Sequence, residues 1–228
     1  MYNWLPYLLH LSDPTLPIGA YTHSGGLETY VQHGLIKDAG DAAAFIRNML
    51  MQNLPYNDAL FAVLAYRAAE AGDVQQLVQL DQECTALKAP QELRTASQKL
   101  GLRLLKLFSP MVEHTTGNAY MAYIKSGEAA GHYCLVFGMY ACLSGIPLSE
   151  AITAFYYNAA TGMVTNSVKL VPLGQQQGQQ ILFALLPELP ALVEQTFNIP
   201  RELAGRCSVG FDIRSMQHER LYSRLYMS

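Results

Sequence analysis

Chemistry in a folded chain needs nucleophiles, acids, bases or metal ligands at spacings that let them meet, and the candidates here are few. The adjacent pair His23 and Ser24, followed by Gly25 and Gly26, sets an imidazole beside a hydroxyl. Neighbouring side chains diverge, and the G-x-S-x-G elbow that would present a serine is absent, so no nucleophilic catalysis is expected from this pair. His132 and Cys134 supply two ligand types within three residues, yet neither they nor His23 and His218 stand at a spacing that defines a zinc or nickel site. Each histidine reads as a hydrogen-bonded structural residue. No GxxxxGK[ST], GxGxxG or HExxH is present, which weighs against nucleotide hydrolysis and zinc hydrolase chemistry. Cys84, Cys134, Cys142 and Cys207 form no CxxC pair and read as small packed hydrophobes in a reducing compartment.

Two segments carry more information. Residues 12–31, SDPTLPIGAYTHSGGLETYV, gather prolines and glycines around Tyr21, His23 and Glu28 before a helix bearing Leu27, Tyr30 and Val31. Pro and Gly fix or permit unusual backbone dihedrals, so this composition specifies a shaped turn that organises itself or meets a partner. The carboxyl end, DIRSMQHERLYSRLYMS, interleaves Arg214, Arg220 and Arg224 with Tyr222 and Tyr226. Chain ends fray unless tied down, and Met216, Leu221, Leu225 and Tyr226 give this one an amphipathic pattern. It either folds back on its own core or offers Arg and Tyr to a partner, as residues favoured at the centres of interfaces.

The elements that must position these segments are helical. Apolar residues recur at helical spacing throughout, and no run alternates as a sheet requires, so an all-α single-domain bundle over residues 1–228 is expected. Helices are expected from a cap at Asp41, from Asn57 or Asp58 to Gly72, from Asp73 to about Leu87, and from Pro90 as first helical residue through Leu107. Others follow over 116–127, over 130–144, and from about Ser149 towards Pro172. Another runs from Gln175 to a break at Pro187 and Pro190. Residues 198–211 read as a linker before a terminal helix over 212–228.

Of the 228 residues, 50% are hydrophobic and 14% charged, against about 25% charged in an ordinary domain. The 15 Lys and Arg nearly balance 18 Asp and Glu, leaving −3, so no field favours nucleic acid or anionic lipid. Stretch 129–149 has no formal charge and the length of a membrane span, but Gly131, Gly138, Gly145 and Pro147, without flanking basic clusters, favour a buried soluble helix. The first basic residue is Lys37, so the basic region of a secretory signal is missing and a cytoplasmic location is expected. Between Ala129 and Pro187 only Glu150 and Lys169 are charged, an apolar density that points to a homodimer. Lys169 either snorkels to solvent or sits at a functional interface; the interface is the expectation.

The motif at 12–31, the LGLRLLK region near Lys99 to Lys106, NSVKLVPLGQ at 166–175 and MQHERLYSRLYMS at the end appear in the order found in the UreF family of urease accessory proteins, which the chain resembles over nearly its whole length. The terminal motif is especially similar to that of members serving Helicobacter-type ureases. The resemblance implies an all-α homodimer without enzymatic activity, a maturation factor that binds the UreD/UreH accessory protein and recruits the GTPase UreG to apo-urease for nickel insertion. It implies no tightly bound cofactor and no metal ligands in this chain, the nickel being handled by the assembled complex. Carried over by position, it marks Tyr21, His23, Gly26, Leu27 and Glu28, then Lys169 and Pro172, then Arg214, Gln217, His218, Glu219, Tyr222 and Arg224 as structural or partner-contacting. None is assigned to catalysis. The rival expectations are a nickel-binding metallochaperone and an independent small-molecule enzyme.

Overall fold

The structure is a computed structural model that describes residues 3–20 and 23–227; Tyr21 lies outside the described residues. The expected fold class holds: the described residues form helices α1 (Leu5–Leu11), α2 (Leu27–Gln32), α3 (Ala39–Asn48), α4 (Leu60–Glu70), α5 (Val74–Leu87), α6 (Gln91–Phe108) and α7 (Thr115–Ser126). They continue as α8 (Tyr133–Leu143), α9 (Leu148–Leu170), α10 (Gln175–Leu185), α11 (Leu189–Phe197) and α12 (Val209–His218), with no strand. One hydrophobic core runs through them.

The centre of that core is α8 against α4. Leu135, Val136, Phe137, Met139 and Ala141 are all fully buried, so α8 is apolar on every face because it is enclosed on every face. Gly138 makes the crossing possible: a Cβ there would stand 2.2 Å from the carbonyl oxygen of Ala62. The uncharged stretch at 129–149 is thus core. Gly145, at φ 68°, and Pro147 end α8 and start α9. Among the described residues no helix is long and apolar enough to cross a membrane.

Several expected boundaries shift for identifiable reasons. Asp38, not Asp41, caps α3, accepting from the Asp41 N–H at 3.0 Å, while the Asp41 carboxylate accepts from the Lys37 N–H at 2.9 Å. Asn57 and Asp58 start no helix. Residues Met49–Asn53 and Pro55–Ala59 are π-helical and join α3 to α4 in a continuous helical path. Pro55 has no N–H to give to an α-type ladder, and the backbone widens around it, with the Leu54 N–H reaching the Met49 carbonyl and the Ala59 N–H reaching the Leu54 carbonyl. Pro90 is the cap residue of α6 rather than its first helical residue. Pro187 and Pro190 occupy first turns, of a short 3₁₀ segment and of α11, where a missing N–H costs nothing.

The largest correction concerns the carboxyl end. The last helix starts at Val209, three residues before Asp212, and ends at His218, so residues 219–227 are not helical. The expected linker is a strap pinned to the π-helical region: the Gly205 N–H donates to the Tyr56 carbonyl at 2.8 Å, and the Arg206 guanidinium lies 3.3 Å over the Tyr56 ring.

Candidate partner-docking site

The two segments singled out in the sequence meet each other. Gly25 and Gly26, at φ 60° and 84°, turn the chain into α2. A Cβ on Gly26 would stand 2.7 Å from the Ser215 hydroxyl and 3.1 Å from the Phe211 ring, so α12 packs directly on this glycine. The entry buries Leu27, Glu28 and Thr29.

A carboxylate taken out of water needs donors, and the tail provides them. Glu28 Oε1 accepts from the Leu225 N–H at 2.7 Å, and Oε2 accepts from the Tyr226 N–H and from His218 Nε2, both at 3.1 Å. Burial raises the Glu28 pKa, but the N–H of Leu225, the His218 ring and the N–H of Tyr226 outweigh it and hold the carboxyl below its ordinary value. The other imidazole nitrogen, Nδ1, lies 2.6 Å from Glu92 Oε2 on α6. Arg224 Nη1 donates to Glu92 Oε1 at 2.7 Å, and Gln32 Nε2 donates to the Ser223 carbonyl at 2.7 Å. Each ring nitrogen of His218 thus faces a carboxylate oxygen, and the Arg224 guanidinium pairs with the second oxygen of Glu92.

The opposite side of this junction is apolar and open. Val209, Ile213 and Met216 recur at i, i+4 and i+7 on α12 and are 63%, 47% and 44% exposed. Beyond α12, Tyr222, Leu225 and Met227 are exposed as well, while Tyr226 turns inward and is buried. Arg214 reaches along the helix to Gln217 at 2.9 Å, and Glu219 points to solvent. The apolar spacing is that of a helix face that fits a partner's groove.

Of the residues marked in the sequence, the structure gathers Gly26, Leu27, Glu28, His218 and Arg224 in this junction, with Arg214, Gln217, Glu219 and Tyr222 on α12 and the tail. The tail folds back on its own core, one of the two outcomes left open by sequence. Lys169 and Pro172 are exposed at the far end of α9 and are not part of the junction. His23 lines a cavity of about 370 Å³ together with Asp58, Lys88, Tyr133, Asn158 and Phe211. Its carbonyl accepts from Asn166 Nδ2 at 2.9 Å, and burial first, then Lys99 and Arg103, lowers its pKa. Glu92 was missed; its only sequence signal is a carboxylate in the first turn of a helix, which does not name a histidine 126 positions away.

A second buried polar cluster supports the fold. Asp81 is fully buried, and its Oδ2 accepts from the Tyr120 hydroxyl at 2.9 Å and from the Ala130 and Gly131 N–H groups at 2.7 Å. His132 sits between the Thr85 and Ser97 hydroxyls at 2.9 and 3.0 Å, the hydrogen-bonded structural role expected of it. Among the described residues no three His, Cys, Asp or Glu side chains are grouped to hold a metal ion.

The model of the UreF family matches residues 36–186. The urease accessory protein UreF of Actinobacillus pleuropneumoniae serotype 5b is 47% identical over 97% of both chains. That of Haemophilus influenzae strain PittGG is 44% identical over 97% of this chain and 94% of its own, and that of Arthrobacter sp. strain FB24 is 34% identical over 97% and 96%. The family match stops short of Glu28 and His218, whereas the pairwise similarity covers nearly the whole chain.

Proposed function

The chain belongs to the UreF family of urease accessory proteins, and from that premise we propose that it is a non-catalytic scaffold of urease maturation whose α12 and tail surface docks a UreD/UreH-type accessory protein. The observation that carries this reading is the two-sided character of α12. Its inner face is fixed on Gly26 and through His218 on Glu28 and Glu92, while Val209, Ile213 and Met216 are presented outward. A fixed apolar helix face loses little conformational freedom when it binds, and so favours docking. UreG and apo-urease complete the assembly in this reading, with nickel as cargo of the complex and the cytoplasm as its location.

The protein acts in this reading as a homodimer. On α9 and α10, Phe183 is 76% and Tyr157 41% exposed beside the partly buried Leu186, an apolar surface of the kind that a second copy covers. Sedimentation of the isolated chain at micromolar concentration is expected to give a dimer, and a stable monomer refutes that part.

The docking test uses co-purification. Ile213→Asp with Met216→Asp places two charges on the outer face without touching Glu28, His218 or Glu92. The doubly substituted protein is expected to keep its helical signal and lose its UreD/UreH-type partner. Wild-type recovery of that partner refutes the assignment. Calorimetry with Mg²⁺ and GTP is expected to find no stoichiometric site in the isolated chain.

A further inference from the structure

Cys84 on α5 and Cys134 on α8 are both buried, and their sulfur atoms lie 4.0 Å apart. They came from the sequence as unrelated thiols 50 positions apart, and scaffolding uses neither of them. Around them the structure assembles an unusually polar pocket for a core. His132, held between the Thr85 and Ser97 hydroxyls, is buried beside them and stands two positions before Cys134. Lys88, one turn beyond Cys84, holds its ammonium 3.0 Å from Asp58. Lys88, Ser97 and Tyr133 line the 370 Å³ cavity, whereas neither Cys84 nor Cys134 does.

We propose that Cys84 and Cys134 are a redox-active pair that a peroxide oxidises to a reversible internal disulfide tying α5 to α8. The Cys134 hydrogen bond pulls the Cys84 thiol below its ordinary value against the opposing effect of burial, helped by His132 and Lys88, whereas burial and Cys84 push Cys134 up. Cys84 is thus the attacking thiolate and Cys134 the resolving thiol. The Cys84 sulfur attacks one peroxide oxygen; the S–O bond forms, the O–O bond breaks, and the departing hydroxide takes up the proton Cys84 released, giving water and a sulfenic acid. The Cys134 sulfur then attacks the Cys84 sulfur. The S–S bond forms, the S–O bond breaks, and the departing hydroxide leaves as water with the Cys134 proton. Two thiols lose two electrons in all, and one peroxide becomes two waters. To bond, the two sulfurs must close from 4.0 Å to about 2 Å.

The remaining cysteines are poor competitors. Cys142 is pushed up to about 11 by burial. Cys207 is exposed, but its thiol donates to Asp212 at 2.9 Å, and that hydrogen bond raises its pKa.

The test uses the full chain carrying Cys142→Ser and Cys207→Ser, which leaves the pair untouched. One equivalent of hydrogen peroxide under native conditions is expected to remove the mass of two hydrogens, to yield a cross-linked Cys84 and Cys134 peptide on a non-reducing digest, and to be reversed by dithiothreitol. Cys84→Ala in the same background is expected to abolish the mass loss. If that variant fails to fold, the first arm still decides. Addition of oxygen atoms without cross-linking, or cross-linking only in denaturant, overturns the proposal.

Discussion

His218 Nδ1 lies 2.6 Å from Glu92 Oε2 while its Nε2 faces Glu28, so a single imidazole ties the last helix to both α6 and α2. The consequence is that the tail is part of the fold's polar accounting. Glu28 tolerates burial only because Leu225, Tyr226 and His218 donate to it. Among the described residues, three buried side-chain oxygens in the same neighbourhood, of Thr29, Ser215 and Tyr226, have no protein hydrogen-bond partner.

This arrangement sets a pH dependence. Glu28 is held below its ordinary value of 4.5 in the folded protein, so its contribution is fully present above that value and is lost as pH falls through the lower folded one. Urea midpoints measured from neutral pH down past 4.5 are expected to fall more steeply for the wild type than for Glu28→Gln. Parallel curves would show that the tail does not stabilise the carboxylate.

Packing gives a sharper contrast between two helical glycines. A Cβ on Gly138 meets the Ala62 carbonyl at 2.2 Å, whereas one on Gly162 in α9 meets nothing within 4 Å. Gly138→Ala is expected to cost about 1–3 kcal/mol or more, since backbone must move. Gly162→Ala is expected to gain roughly 0.5–1 kcal/mol from helix propensity. Equal effects in urea unfolding would contradict the close approach of α4 and α8.

Lys169 stands exposed near the end of α9, away from the α12 junction. Its ammonium is therefore available to a partner without any change in the fold. Lys169→Ala is expected to preserve the helical signal and the oligomeric state while lowering urease activation in cells. Unchanged activation would leave it as a snorkelling surface lysine.

What could be read from the sequence follows the range of the interactions. The α8 and α9 segments were legible because burial on every face and a Gly and Pro stop are written locally, at 133–147. The join across Pro55 was not, because a proline reads as a break unless the backbone around it is seen to widen into π-helix. The end of α12 at His218 was also hidden. Leu221, Leu225 and Tyr226 continue a helical pattern, but the N–H groups of Leu225 and Tyr226 are claimed by Glu28, 197 and 198 positions away. A local pattern cannot announce a competitor so distant. For the same reason Glu28 and His218 were each found as notable residues without being found as partners.

That partnership changes what a truncation measures. Read as an isolated amphipathic helix, residues 217–228 are removable without opening the core; read with Glu28, their loss takes away His218, Leu225 and Tyr226 and strands a buried carboxylate whose remaining side-chain contact is Gln32 at 3.5 Å. Deletion of 217–228 is expected to cost about 2–4 kcal/mol, which for a chain of this size lowers the thermal midpoint by roughly 5–15 °C. The same deletion made with Glu28→Gln is expected to cost less, by about 1–3 kcal/mol of coupling, because no charge is then left unpaired. Additive losses in that cycle would mean that the tail stabilises the fold through its apolar contacts, Tyr226 foremost, and that the carboxylate finds water when the tail is gone. Lost partner binding by the truncated protein is interpretable as a lost contact surface only after this cycle is measured, whereas the Ile213 and Met216 substitutions leave Glu28 satisfied.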